Sequence, residues 1–449
     1  MKRSLVLAGG GMRVAWQAGV VRALSEEGIA FDHIDGSSGG ILATGMLLSG
    51  ISPEEMCARW SSLDVRDFSS ALPLGDYLKG PGALPALGDA DGILRKVFPA
   101  LGIDADQIRR RAALPGAIEG TFNVAEFTRK VAHAIDARHI DAELMAAGMS
   151  LPLFVTPLER DGQVWTDAVW MRDANVREAL RRGADEVWLV WCIGNSPYWG
   201  DGPFEQYVHM IEMCAMGALL ADFDEAASSG REFVLHVIRP EHPLPLDPEF
   251  YLGRIDADAL IGMGYRDARA YLDALRPGGV PHDESCTAMV DRVPGVRFNE
   301  SLHGTAGGHE LTVRVTLVVP TRDGTQAPEV TGYVDFAPFG SRVFLADGAV
   351  EADGGRVSYR GRVRVDGPWE EFRLTRTFDD GALDGWHDAR HARLEVGGRV
   401  AVDVSMGLGD VAALLGSVEP VGVHGIADRA AAVAGFAARG LRELFGAAP

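Results

Sequence analysis

The first fifty residues alternate strand, helix, strand and helix, and both strands run into glycine-rich turns. "SLVLA" reads as a short buried strand from Ser4 to Ala8. "RVAWQAGVVRALSEEG" reads as a helix over residues 13–27, with Val14, Ala18, Val21 and Leu24 on one side by three-to-four spacing. Gly28 is placed to end it. "FDHIDG" is a second short strand, and "GGILATGMLLSG" starts a second helix. This order implies a parallel sheet with crossover helices. Parallel neighbours bring their turns, residues 9–13 and 36–40, to the same sheet edge.

Gly36–Gly40 match G-x-S-x-G, with Ser38 at the centre. A tight turn between strand and helix lifts a serine hydroxyl clear of the sheet, and the helix N-terminus favours negative charge forming nearby. The plain alternative is that Ser37 or Ser38 only caps the helix. "GGGMR", residues 9–13, offers glycine N–H groups that can nest an oxyanion or phosphate. It is not a dinucleotide fingerprint, because position 14 is valine, and no G-K-[ST] follows it. A nucleophilic serine needs a base. His33 lies inside the incoming strand and reads as a packed histidine. Asp167, in "WTDAVW", follows a strand-like run. A carboxylate held beside a serine hydroxyl in a partly dry site can accept its proton.

The net charge of −20 argues against nucleic acid as a partner, because backbone binding needs a positive surface. The four cysteines are scattered, with no zinc-like cluster, so a reducing, cytoplasmic location is the simplest expectation. The apolar run near the N-terminus is too short for a signal peptide, and no segment reaches the ~20 apolar residues of a membrane span.

Residues 118–138 read as a strand followed by helix or connector, and the stretch 60–115 as an irregular insertion placed to lie over an active site. After "RPGGVPHD" the grammar changes. Residues 295–405 alternate apolar and polar positions, with turns such as Asp323–Gly324, and a last helix follows. The expected fold class is α/β: a hydrolase domain with a mainly parallel central sheet over residues 1–278. A β-rich domain with a C-terminal helix is expected over 285–449.

The ordered elements Gly9-Gly10-Gly11-Met12-Arg13, Gly36-Ser37-Ser38-Gly39-Gly40 and Asp167-Ala168 resemble the patatin-like phospholipase family, over residues 4–195 and more weakly to 275. The resemblance implies a Ser–Asp dyad without histidine. In it Ser38 is the nucleophile and Asp167 the general base. Gly10, Gly11 and Met12 supply oxyanion-hole N–H groups, and Arg13 serves as substrate or loop support. Val14 and Ala168 stand where the family often has glycine. The C-terminal part is faintly similar to a β-rich domain appended to cholesterol-oxidase-like and lipid-related bacterial enzymes, which implies a lipid-contact or accessory role for residues 285–449. The implied activity is hydrolysis of lipid carboxylic esters, of phospholipase A or lysophospholipase type, with no cofactor and no metal. The implied partners are a lipid or acyl-ester substrate and a membrane surface touched peripherally. The rival reading is a non-catalytic lipid- or acyl-binding protein with a vestigial site.

Overall fold

Strands covered by helices on both faces carry apolar residues at consecutive positions, and the first strand, with Leu5, Val6 and Leu7, has that composition. The computed structural model describes residues 1–63, 65–68, 72, 86–200, 202–246, 255–321, 326–340, 342–353, 355–378 and 385–445. The turn expected at Asp323–Gly324 lies outside them, as do parts of the stretch 60–115.

β1 (Arg3–Leu7), β2 (His33–Ser37), β3 (Glu119–Glu126), β4 (Val131–Asp136), β5 (Leu158–Arg160), β6 (Gln163–Asp167), β7 (Glu186–Val190) and β8 (Val234–Ile238) form one eight-stranded sheet. Its order is β5-β6-β3-β2-β1-β7-β8, and β4 also pairs with β3. β1, β2, β3, β7 and β8 run parallel, β4 and β6 pair antiparallel with β3, and β5 pairs antiparallel with β6. Residues 131–136, expected as helix or connector, are strand β4. Its alternation V-A-H-A-I-D pairs it with β3 along six rungs, from Val131 to Asp136.

α1 (Ala15–Glu26) and α2 (Gly40–Ser49) follow the first two strands, and α3 (Pro53–Ser62) comes next. α2 is apolar nearly all round and buried accordingly. α3 begins where Ser52 Oγ accepts from the Glu55 N–H at 3.1 Å, with Pro53 at its first position.

Register on β3 does most to shape the site. Ser37, the last residue of β2, sits opposite Asn123, and Asp167, the last residue of β6, sits opposite Val124. β2 runs parallel to β3 and β6 runs against it, so the two strand ends meet at consecutive rungs. The residue after Ser37 is therefore delivered beside Asp167.

The chain groups into two compact units, Met1–Tyr251 with Tyr271–Val290, and Leu252–Ala270 with Asp291–Pro449. It passes between them three times, and the helix Ala257–Asp273 spans one of these passages. Asp258 on that helix pairs with Arg314 and Arg342 of the second unit, and Tyr265 stacks on Phe344 at 5.2 Å. Tyr271 contacts Trp188 and His236 in the first unit.

In the second unit, β9 (Gly295–Ala306), β10 (His309–Pro320), β11 (Glu329–Phe336), β12 (Val343–Phe344), β13 (Ala346–Asp353), β14 (Arg356–Arg364), β15 (Trp369–Thr377), β16 (His391–Val396), β17 (Val400–Ser405) and β18 (Glu419–Val421) are antiparallel. β9 pairs with both β10 and β17, which closes a β-barrel flanked by β12 and β18. Leu311, Val313, Val315 and Leu317 on β10 point to its core while Thr312 and Arg314 alternate outward. Among the described residues no helix is long and apolar enough to cross a membrane.

Candidate functional site

Ser38 follows β2 and precedes α2. Its φ is +49°, a left-handed value that a non-glycine residue adopts only when its surroundings enforce it. The enforcement is steric. A Cβ on Gly36 would lie 2.3 Å from Thr44 Oγ1, and one on Gly40 would lie 2.1 Å from the Leu7 carbonyl oxygen. Only glycines allow the turn to pack this close to β1 and to its own helix.

Ser38 Oγ donates to Asp167 Oδ2 at 2.7 Å. The other carboxylate oxygen accepts from the Val169 N–H at 2.9 Å. Asp167 is 1% exposed. Burial pushes its carboxyl up to about 7, against the Ser38 hydroxyl and the Val169 N–H, which favour the charged form.

The glycine loop after β1 lies at the same sheet edge. Gly10 and Gly11 have φ of +156° and +60°. The carbonyls of Ala8, Gly9 and Gly10 are occupied. Gln17 Nε2 donates to Ala8 O at 2.6 Å, the Cys192 thiol to Gly9 O at 3.0 Å, and Arg13 Nε to Gly10 O at 3.0 Å. No hydrogen-bond acceptor meets the Gly10 or Gly11 N–H among the described residues. These donors are available to a ligand.

Gly10, Gly11, Met12, Arg13 and Ser38 line a cavity of about 410 Å³. Its walls are apolar and include Met149, Leu151, Phe154, Ile193, Phe204 and Ile211. From the stretch 60–115 the described residues Phe68, Leu87, Gly88 and Ile93 also line it.

His33 stands at the far end of β2 from Ser38. Its Nδ1 meets Ser4 Oγ at 2.6 Å and its Nε2 meets Thr121 Oγ1 at 2.8 Å. Burial lowers its pKa to about 3. It is a packed, neutral histidine.

Residues 5–180 match the family model described as patatin-like phospholipase. This segment is a patatin-like phospholipase domain. Two curated relatives are similar to it, an uncharacterized NTE family protein of Mycobacterium bovis and another of Mycobacterium tuberculosis. Each is 28% identical over an alignment of 177 residues that covers 36% of this chain. The chain spans 29% of the length of each relative.

Several polar residues of the patatin-like domain went unread in the sequence. Asp35, fully buried in β2, accepts from Asn123 Nδ2 at 2.6 Å and from the Thr121 hydroxyl. Asn123 Nδ2 also donates to the Gly36 carbonyl at 3.1 Å, and Asn123 Oδ1 accepts from Asn175 Nδ2 at 2.6 Å. Burial raises the Asp35 carboxyl to about 7. The available signal was polar residues within strands that are otherwise buried. Ala168, where the family often has glycine, is fully buried behind Asp167. Val14 closes the short helical turn Gly11–Val14 and packs against Gly39, whose Cβ would lie 2.5 Å from Val14 Cγ1.

Proposed function

We propose that the patatin-like domain is a serine acyl hydrolase that cleaves carboxylic ester bonds of lipids, in the manner of a phospholipase A or lysophospholipase. The observation that carries this is the 2.7 Å bond from Ser38 Oγ to Asp167 at the base of an apolar cavity. Asp167 Oδ2 takes the Ser38 proton as Oγ attacks the ester carbonyl carbon. The oxyanion is met by the N–H groups of Gly10 and Gly11, joined by that of Met12. Arg13 holds the loop through Gly10 O. As the tetrahedral species collapses, the alcohol leaves with the proton from Asp167, and Ser38 keeps the acyl group. Water then attacks, gives its proton to Asp167, and releases the acid. The reading assigns no step to a cofactor or metal.

The apolar walls suit an acyl chain. Leu87, on the cavity, and Leu153, whose carbonyl accepts from the Leu87 N–H, are 63% and 62% exposed. They support peripheral contact with a lipid surface, and the β-barrel unit is assigned an accessory or lipid-contact role in the same reading. The four free cysteines fit a reducing, cytoplasmic setting.

The test pairs covalent labelling with hydrolysis. A fluorophosphonate is expected to label Ser38, and a panel of phospholipid, lysophospholipid, neutral lipid and short-chain ester is expected to include at least one hydrolysed lipid class. Absence of both labelling and hydrolysis in the folded chain would favour the lipid-binding alternative.

The pH profile follows from the buried base. Only ionised Asp167 can take the Ser38 proton, and its pKa sits at about 7. kcat/KM is expected to rise with pH through an acid limb centred near 7, well above an ordinary carboxylate near ~4. A limb at the ordinary value, measured on a soluble ester with stable protein, would show that the base is solvated during turnover.

A further inference from the structure

The segment after β6 does more than carry Asp167. Within nine residues it makes four successive attachments, to the elbow, to the neighbouring strand β3 and to the glycine loop. Asp167 bonds Ser38, the Arg172 carbonyl accepts from Ser37 Oγ at 3.2 Å, Asp173 bonds Gly9, and Asn175 bonds Asn123. Three of these touch the nucleophile's turn or the strand beside it. The bond from Asp173 is different, because it reaches the loop that presents the free N–H groups.

Asp173 is fully buried. Both of its oxygens accept from the Gly9 N–H, at 2.9 and 3.1 Å. It has no ion-pair partner among the described residues. Gly9 is clasped between two side chains. A Cβ there would lie 2.4 Å from Asp173 Oδ1 and 2.6 Å from Ser38 Cβ. Asp173 and Ser38 therefore both pack closely on Gly9, and the spacing between loop and nucleophile is set there.

We infer that Asp173 is a positioning residue for acyl transfer: by accepting the Gly9 N–H it clamps the glycine loop against Ser38, so that the next two N–H groups face the reacting carbonyl. The inference rests on Ser38 as nucleophile. The role needs an acceptor and no charge. Burial and the neighbouring Asp167 carboxylate push the Asp173 carboxyl well above the usual range, against the Gly9 N–H and Arg13. Asp35 also faces it and acts in the same direction as Asp167. Burial and the two neighbouring carboxylates thus all disfavour the charged form of Asp173.

The experiment compares Asp173→Asn, Asp173→Leu and Asp173→Ala in the full chain, beside wild type and Ser38→Ala. The probe is a soluble p-nitrophenyl acyl ester, and urea unfolding gives the folded fraction. Asparagine keeps an acceptor oxygen, so Asp173→Asn is expected to retain kcat within a few-fold and to leave the acid limb of kcat/KM where it is. Leucine and alanine remove the acceptor. Misplacing a catalytic group by about 1 Å costs about 100-fold, so each is expected to lower kcat per folded molecule by about that factor with KM nearly unchanged. Phosphonylation of Ser38, which uses the same N–H groups, should slow in parallel. Two acceptor-free variants are read because either alone can fail to fold. If neither folds while Asp173→Asn does, the rate of Asp173→Asn decides: near wild type upholds the acceptor role, and a 100-fold loss overturns it. Full kcat per folded molecule in a folded acceptor-free variant overturns the inference, as does a shift of the acid limb in Asp173→Asn by more than about one pH unit. If Ser38→Ala itself keeps activity, the underlying nucleophile assignment is the one that fails.

Discussion

Ser38→Ala is expected to lower kcat on a soluble acyl ester by about 10⁴-fold or more, and Asp167→Asn by a comparable factor. The two residues act on one proton. Without Oγ there is no acyl-enzyme, and without an ionisable carboxylate Oγ keeps its proton during attack. The double variant should therefore be scarcely slower than either single one, since removing one member of a unit disables the other. Neither change should unfold the chain. Alanine keeps the Cβ that already occupies the +49° turn at position 38. Asparagine can accept from the Val169 N–H with its carbonyl and donate to Ser38 with its amide, replacing both bonds of Asp167. Asp167→Asn should even stabilise the protein at neutral and higher pH. The folded-state pKa, about 7, lies above the unfolded value, so between ~4 and ~7 the folded chain binds more protons at this position. Stability from this group falls as pH rises across that window, and a residue that never ionises escapes the loss. Urea midpoints of wild type and Asp167→Asn at pH 8 give the sign. Retention of kcat within tenfold by either single variant would sink the dyad.

The elements of the site differ in how far they could be read from the chain. The strand–turn–helix units around residues 9–13 and 36–40 are local, and periodicity with glycine placement locates them. Asp167 is a different case. It lies 129 residues from Ser38, and composition marks it only as a loop aspartate. Its selection came from resemblance to a family. The physical reason for the pairing is the register on β3, where β2 and β6 end at adjacent rungs. Register between distant strands leaves no trace in local spacing. The same holds for Asp35, Asn123 and Asp173. Each is a single polar residue whose partners arrive from other strands or from the glycine loop, so nothing nearby in sequence predicts its bonds. The strand β4 was missed because half-exposed residues such as Ala132 and Ala134 carry little strand preference. The grouping of Leu252–Ala270 with the β-barrel depends on Asp258 and Tyr265 finding partners on strands that follow in the chain. Until those strands are placed, the helix reads as the end of the first domain.

Gly40→Ala is expected to cost the folded state more than about 3 kcal/mol or to prevent soluble expression, a larger loss than most single substitutions produce. The conformation of residue 40 is ordinary helix, so the cause is contact. An added Cβ would lie 2.1 Å from the Leu7 carbonyl oxygen, 2.8 Å from its carbon and 2.9 Å from the Ala8 carbonyl oxygen. All three are main-chain atoms. A flexible side chain could swing aside, but β1 is held by β2 on one side and β7 on the other. Relief has to come from the start of α2, and Ser38 lies two residues before it. Displacing α2 would move Oγ away from Asp167 and from the glycine loop together, so any folded Gly40→Ala protein should also have lost most of its activity. Gly217→Ala is the matched control. That glycine lies inside the helix Pro203–Ser228, and a Cβ there meets nothing within 4 Å. Alanine should stabilise the chain by about 0.5–1 kcal/mol, because it narrows the unfolded ensemble and suits the helix. Urea unfolding of both variants reads the contrast directly. A Gly40→Ala protein with wild-type stability and wild-type kcat would mean that close packing of α2 on β1 does not hold the nucleophile's turn.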